Sequence, residues 1–239
     1  MFAAVFLAGL VTGSVLNWAG DYLPRFAASR PAPLPQRTPR FTCAMWRLAA
    51  AVISRRRITA SLAAHGPGAA IEMLTAALFV SIAARSGLSW EALALVAACC
   101  FFILVALVDL RYRLVLNVMI YPAIAVTLLI RFASPGTGPL TALIGGALGL
   151  AIFSAAALAR PGGLGWGDVK LATLIGLLFS FPHALWPLSV GILAGGLTAV
   201  FLLGTRRWTR RSIIPYAPFL CLGALVALFY NPLSAILIR

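Results

Sequence analysis

Residues 91–110, EALALVAACCFFILVALVDL, decide the fold class of this chain. Seventeen consecutive apolar residues separate Glu91 from Asp109. A helix needs about 20 mostly apolar residues to cross roughly 30 Å of hydrocarbon, so this stretch has the length of a membrane span. Seven further blocks of this kind lie at about 2–19, 69–85, 114–131, 139–159, 168–181, 184–204 and 213–231. The sequence therefore predicts an all-α, polytopic membrane helix bundle with about eight transmembrane helices.

The composition of the whole chain agrees with this prediction. Of its 239 residues, 62% are hydrophobic and 10% are charged, and the mean hydropathy is +1.00. Soluble domains carry about 25% charged residues, and disordered chains are poor in apolar residues. Both classes are excluded, and the lipid bilayer is the expected solvent.

The basic residues indicate both a partner and an orientation. The formal net charge is +14, but the lysines and arginines form short clusters between apolar blocks, which favours membrane lipids over nucleic acid as the partner. If eight spans alternate in direction, sixteen of the nineteen basic residues fall on one side. The positive-inside rule assigns that side to the cytoplasm and both termini to the outside.

Three segments organise the chain. Residues 1–19 are predicted to form a first, retained transmembrane helix, and residues 69–239 a transmembrane core. Residues 20–68 form a basic cytoplasmic loop, in which 43–65 is either a helix lying on the headgroups or plain solvated loop. The sixth span, 168–181, rises only about 21 Å, so it either extends through Pro182 and His183 or crosses a thin region.

Cys43, Cys99, Cys100 and Cys221 form no C-x-x-C pair, so neither a metal site nor a disulfide framework is expected.

Two acidic residues are the candidates for chemistry. Asp109 ends the third span and Asp168 begins the sixth, and these spans run in opposite directions, so the two carboxylates can reach the same layer. A pair of close carboxylates shares one proton, which is the arrangement that a water-activating aspartic protease needs. A structural reading stays open beside it: aspartate is a common residue at a helix N-terminus, and Asp109 with Arg111 and Arg113 also fits an ordinary juxtamembrane charge cluster.

The residues around these aspartates resemble a known family. Residues 163–171, GLGWGDVKL, are similar to the G-x-G-D-x-K-L signature of the type IV prepilin peptidases, which are membrane aspartic proteases of the G-x-G-D type. Asp109, followed by Asn117 and by Tyr121-Pro122, resembles the first aspartate block of that family, with Val115 where proline is frequent. Residues 13–17, 71–76 and 214–219 resemble further family blocks in the same order.

The resemblance implies a function and a set of site residues. It implies an aspartic endopeptidase of the bacterial inner membrane that removes the leader peptide from prepilins or pseudopilins at the cytoplasmic face, for a type IV pilus or type II secretion. It carries over Asp109 and Asp168 as the catalytic pair. Four residues are expected to support the substrate or the active site: Glu72, Gly165, Gly167 and Lys170. Cleavage is expected to need no cofactor and no metal.

One departure from the family concerns methylation. Many members carry two C-x-x-C pairs in the first cytoplasmic loop and methylate the new amino terminus with S-adenosylmethionine. This chain keeps only Cys43 there. Retention of methyl transfer is therefore an open question, and S-adenosylmethionine is a cofactor only if it is retained.

Two other functions remain as alternatives. A membrane transporter or scaffold would also use small residues for close helix packing, such as the pairs Gly145/Gly149 and Gly191/Gly195. A transporter usually places its acids near the bilayer midplane, whereas these lie towards one face. An inactive peptidase homologue is the third reading, and the presence of both aspartates argues against it.

Overall fold

The fold is helical throughout the part of the chain that the structure describes. The computed structural model describes residues 2–27, 58–87, 89–133, 138–159, 163–204 and 215–230. The helices in these ranges are α1 (Phe2–Ala27), α2 (Ile58–Ser86), α3 (Trp90–Tyr112), α4 (Asn117–Ala133), α5 (Pro139–Ala159), α6 (Trp166–Phe179), α7 (Leu185–Gly204) and α8 (Ala217–Phe229). The predicted all-α bundle is confirmed.

Five of these helices are long and apolar enough to cross a membrane. Among the described residues they are α1, α2, α3, α5 and α7, and α3 has the highest mean hydropathy of the five, at 2.8. The helices α4 and α8 are apolar but shorter. This protein is therefore a multi-pass membrane protein, as the sequence predicts.

The helix boundaries differ from the predicted ones around the first loop. Helix α1 continues past residue 19 to Ala27, although Pro24 lies inside it. Trp18 stacks on Tyr22 one turn later, with ring centroids 4.8 Å apart, and such i,i+4 contacts support a helix. Helix α2 begins at Ile58, earlier than the predicted 69. Residues 43–57 of the predicted interfacial helix lie outside the described residues.

The contacts divide the chain into two units, residues 1–104 and 105–239. In the first unit α1 packs closely on α2. A Cβ atom added at Gly9 would lie 2.5 Å from the Cα atom of Ala76, and one at Gly13 would lie 2.7 Å from the Cα atom of Glu72. Asn17 donates a hydrogen bond to the carbonyl of Gly68 at 3.1 Å. Small residues thus let these two backbones approach each other, as is usual for helices in lipid.

In the second unit α6 is the central helix. It packs against α4, α5, α7 and α8, and Leu171, Ala172 and Ile175 on it are fully buried. The closest approach is to α5, where Gly145 lies against the backbone of Gly176 and a Cβ atom on Gly149 would lie 2.5 Å from the Ala172 carbonyl oxygen. This packing fixes α6 within the second unit and with it the residues at its N-terminus.

Helix α6 ends at Phe179 and does not extend through Pro182 and His183, which answers the question raised by its short length. Arg131 on α4 donates a hydrogen bond to the carbonyl of Leu178. The backbone N–H of Ser180 donates to the carbonyl of Gly176 at 3.0 Å. These bonds satisfy carbonyl groups that the end of a helix would otherwise leave without partners.

Candidate active site

Asp109 lies in the last turn of α3, within the second unit. Its side chain is buried, with 5% of its surface exposed. The helix ends just beyond it, because Arg113 adopts a left-handed conformation with φ of 54° and donates its backbone N–H to the Asp109 carbonyl at 2.8 Å. A left-handed residue is a common helix terminator. The carboxylate is therefore held at a helix end.

Asp168 lies in the first turn of α6 and is also buried, with 8% exposed. The backbone N–H of Asp168 donates to the Gly165 carbonyl at 3.0 Å. In return, the backbone N–H of Gly165 donates to Oδ2 of Asp168 at 3.3 Å. This reciprocal pair satisfies one of the free donors at the start of the helix and orients the Asp168 carboxylate.

The structure brings the two carboxylates into one site, since the charge of Asp109 acts on Asp168. The backbone N–H of Ala217 donates to the Asp109 carboxylate. Oδ2 of Asp109 is buried and has no hydrogen-bond partner among the described residues. Two buried carboxylates with one free acceptor atom form a group that can share a proton and accept another from a water molecule.

Gly167 sets how closely the connection after α3 approaches α6. A Cβ atom added at Gly167 would lie 2.6 Å from the Cβ atom of Val115, far below the 3.5–4.0 Å at which carbon atoms pack comfortably. Gly165 is less confined, because its added Cβ atom would lie 3.4 Å from Oδ2 of Asp168. Of these two positions, only 167 therefore requires glycine for the connection after α3 to approach α6 closely.

Lys170 connects α6 to α4. Its Nζ atom donates to Oδ1 of Asn117 at 2.8 Å and lies 4.9 Å from the centre of the Tyr121 ring. These contacts join the residues of the two sequence blocks that carry the aspartates. Lys170 thus has protein partners, and the role that this geometry supports is to position the helix that carries Asp168.

Glu72 belongs to the first unit. It is fully buried on α2, where Gly13 of α1 packs on its backbone. Its expected support of the active site stays a prediction.

Sequence reasoning missed the contribution of α8. The backbone N–H of Ala217, the first residue of α8, donates to the Asp109 carboxylate. Cys221, one turn later, is fully buried and lies within electrostatic range of both aspartates. Residues 214–219 carry a family-like block, which was a signal that this turn matters. The block itself does not tell which aspartate each residue meets, because that depends on the packing of α8 against α6.

No group of three or more His, Cys, Asp or Glu side chains that could hold a metal ion occurs within the described ranges. Cys43, the cysteine of the first loop, lies outside those ranges. The expectation that the site needs no metal and no cofactor therefore stays a prediction.

Comparison with known proteins supports the motif reading. Residues 96–203 match the type IV leader peptidase family, a range that includes both aspartates. The chain is 28% identical over 162 residues to a prepilin leader peptidase/N-methyltransferase of Bacillus subtilis, covering 68% of this chain and 65% of that protein. No solved structure gives a significant match.

Two further relatives carry the same name. The protein of Xanthomonas campestris is 24% identical over 168 residues, covering 67% of this chain and 58% of the relative. That of Pseudomonas aeruginosa is 24% identical over 166 residues, covering 67% and 57%. The match thus spans less than two thirds of the length of these curated relatives. The resemblance found in the sequence is confirmed, and this chain is similar to the type IV leader peptidase family.

Proposed function

We propose that this protein is a membrane aspartic endopeptidase that removes the leader peptide from prepilins or pseudopilins at the cytoplasmic face of the bacterial inner membrane. The observation that carries the proposal is the pair of buried carboxylates, Asp109 and Asp168, which the ends of α3 and α6 hold within electrostatic reach of each other. The relatives named prepilin leader peptidase/N-methyltransferase give the substrate class.

The energetic cost of this pair argues for chemistry. A capping role accounts for Asp168, whose carboxylate bonds to the Gly165 N–H. It does not account for Asp109, which is buried beside a second acid with one oxygen lacking a partner in the described residues. A buried polar atom without a partner costs about 1–3 kcal/mol, and a purely structural role at a helix end does not require that cost.

The proposed reaction uses the two carboxylates as a base and an acid. The ionised carboxylate takes a proton from a water molecule, whose oxygen attacks the scissile carbonyl carbon, while the protonated carboxylate donates its proton to the carbonyl oxygen. A C–O bond forms and a tetrahedral intermediate results. Its collapse breaks the C–N bond, the proton taken from water passes to the leaving amine, and the other proton returns from the oxygen to the pair.

The free oxygen of Asp109 suits it to hold the water, since Oδ2 has no protein donor within the described residues. Oδ2 of Asp168 already accepts the Gly165 N–H, which orients that carboxylate. The Ala217 N–H does the same for Asp109. Each aspartate is thus held by one backbone donor, and pre-orientation of this kind is a recognised source of catalytic rate.

The distribution of charge supports the proposed cytoplasmic placement of the site. Arg111 and Arg113 come directly after Asp109, and Lys170 lies two residues beyond Asp168. The aspartates are therefore at the basic ends of their helices, and basic ends face the cytoplasm. A prepilin presents a basic leader in the cytoplasm followed by an apolar helix, so its scissile bond would reach an acidic site in this layer.

The test is co-expression with a prepilin in bacterial membranes, followed by gel shift and mass spectrometry of the substrate. Asp109→Asn and Asp168→Asn are each expected to slow leader removal by at least about 100-fold, the usual contribution of one acid–base group. Glu91→Gln is the matched control, because Glu91 is exposed at the opposite end of α3. Cleavage that persists in both aspartate variants at equal protein levels would contradict the proposal.

The same mass spectra test methylation. This proposal covers cleavage alone, because the first loop carries Cys43 without any C-x-x-C pair. A product carrying the mass of one added methyl group, dependent on S-adenosylmethionine, would extend the activity to methyl transfer. A product without it would limit this protein to the peptidase step.

A further inference from the structure

The helices of the second unit end at different heights on the side that carries the aspartates. A Cβ atom added at Gly149 of α5 would lie 2.5 Å from the carbonyl oxygen of Ala172 of α6. Because these helices run antiparallel, Phe153 lies opposite Asp168 one turn further along. Helix α5 continues from Phe153 to Ala159, a rise of about 9 Å at 1.5 Å per residue. It therefore projects beyond the layer of the aspartates.

Helix α7 projects further still. A Cβ atom added at Gly195 would lie 2.5 Å from Cε2 of Tyr216, the residue directly before α8. The ring of Tyr216 also packs on Phe153 of α5, with ring centroids 5.9 Å apart. Gly195 thus lies in the same layer as Phe153 and Asp168. From Gly195, α7 continues to Gly204, a rise of about 13 Å.

The other helix ends at this side lie in the aspartate layer itself. Asp109 lies three residues before the end of α3, α6 begins two residues before Asp168, and α8 begins directly after Tyr216. Helix α4 begins at Asn117, which accepts a hydrogen bond from Nζ of Lys170 at 2.8 Å. The unit therefore has a step of about 10 Å at this end, with α4 on the low side and α5 and α7 on the high side.

At the opposite end of the unit the helices are level. Helix α7 begins at Leu185, ten residues before Gly195. On α6, Leu178 lies ten residues after Asp168, so both positions lie about 15 Å from the aspartate layer. Arg131 of α4 donates to the carbonyl of Leu178, which places the end of α4 at the same height. The step is thus confined to the end that carries the aspartates.

The two sides of the step differ in chemistry. Arg111 in the last turn of α3 and Arg113 just beyond it are exposed at the level of the low side. On the high side, Leu197 and Phe201 of the projecting part of α7 are exposed. Phosphate headgroups suit the basic residues, and hydrocarbon suits the apolar ones. A flat bilayer that covered the apolar residues would also cover the basic ones, and charged groups in hydrocarbon are costly.

We propose that the cytoplasmic leaflet is thinned beside α4, so that phospholipid headgroups reach the layer of Asp109 and Asp168 there, whereas hydrocarbon covers α7 to its end. The exposed apolar residues of α4 extend from Val118 to Phe132, about 21 Å, against roughly 30 Å of ordinary hydrocarbon. A bilayer adapts to a short apolar segment by thinning. This inference concerns the lipid and goes beyond the proposed peptidase function. Water thereby reaches the carboxylates from the α4 side.

The test measures how deep exposed residues lie in the bilayer. A nitroxide label is attached at Val118→Cys on α4 or at Leu197→Cys on α7, in the full chain with its four native cysteines replaced by alanine. The vesicles contain dioleoyl phosphatidylethanolamine and dioleoyl phosphatidylglycerol, and depth is read from collisions of the label with oxygen and with a nickel chelate. Both positions are exposed and lie near the aspartate layer. We expect the label at 118 at headgroup level and the label at 197 about 10 Å deeper, the rise from Leu197 to Gly204.

A second pair of labels controls for tilt of the whole molecule. Ile130→Cys on α4 and Leu185→Cys on α7 lie at the level end of the unit, and both positions are exposed. We expect these two labels to lie at equal depth. A tilted molecule would instead displace both α4 labels in the same direction along the membrane normal, relative to the labels on α7.

The outcomes are distinct from those of the cleavage assay. A difference in depth between 118 and 197, with equal depths at 130 and 185, supports thinning beside α4. Equal depths at 118 and 197 would overturn it, because a flat bilayer would then surround both helices. The same displacement of both α4 labels would also overturn it, because tilt would account for the difference. The measurement uses no prepilin, so its failure leaves the proposed function standing, and persistent cleavage by Asp168→Asn leaves the lipid inference standing.

Discussion

The contact between Gly167 and Val115 makes the sharpest structural prediction. Gly167→Ala would place a Cβ atom 2.6 Å from the Cβ atom of Val115. Because carbon atoms pack at about 3.5–4.0 Å, the two segments must separate by about 1 Å. The clash involves Cβ itself, which cannot move away by changing rotamer. The connection that follows Asp109 would therefore shift away from the turn that carries Asp168.

This shift affects activity more than stability. Overpacking of this kind costs about 1–3 kcal/mol of folding free energy, whereas a misplacement of about 1 Å in reacting groups lowers the rate by about 100-fold. We expect Gly167→Ala to accumulate in membranes with a modestly lower melting temperature and to cleave a prepilin about 100-fold more slowly. Gly165→Ala, whose added Cβ atom meets Asp168 at 3.4 Å, is expected to lose much less activity.

A double variant tests the reasoning. Val115→Gly removes the Cβ atom that Gly167→Ala meets, so the combination of Gly167→Ala with Val115→Gly should recover activity relative to Gly167→Ala alone. The assay is the initial rate of leader removal at matched protein levels, with thermal unfolding in detergent measured in parallel. The reasoning is refuted if Gly167→Ala cleaves at the native rate, or if Val115→Gly restores nothing.

Two further predictions concern the packing of α6. Lys170→Met removes the hydrogen bond to Asn117 and the contact with the Tyr121 ring. It should slow cleavage by about tenfold, because a hydrogen bond to a charged group contributes about 1.5–3 kcal/mol. Adding Asn117→Ala to Lys170→Met should lower the rate little further, and full additivity of the two losses would show that the two residues act separately. Gly149→Ala would place a Cβ atom 2.5 Å from the Ala172 carbonyl oxygen, so it should lower the unfolding temperature of the protein in detergent. Gly196→Ala should not lower it. Equal unfolding temperatures for these two variants would contradict the described contact between α5 and α6.

The number and order of helices could be predicted because each depends on local composition. Blocks of apolar residues bounded by charge, Pro or Gly identify the segments that avoid water, and the eight predicted blocks correspond to α1–α8 within the described residues. The short sixth block was predicted at fourteen residues, and α6 has fourteen. Helix ends were less predictable, as α1 shows, because stacking of Trp18 on Tyr22 continues the helix beyond the apolar block.

The aspartate pair could also be predicted, since antiparallel spans place the end of one beside the start of another. The partners of the pair could not. That Lys170 meets Asn117 and not a lipid headgroup depends on how α4 lies against α6. That Ala217 at the start of α8 donates to Asp109 depends on packing between segments far apart in the sequence. Sequence patterns predict which residues share a helix face, but distances between helices follow from close contacts such as Gly145 on Gly176.

The central claim is that Asp109 and Asp168 act as one catalytic unit. The most direct measurement is the rate of leader removal by Asp109→Asn, Asp168→Asn and the double variant, in the same membranes and against Glu91→Gln. Groups that act as a unit are strongly non-additive, so each single variant should lose at least about 100-fold and the double variant should be no slower than the singles. Single variants that retain cleavage, or losses that multiply in the double variant, would contradict the account.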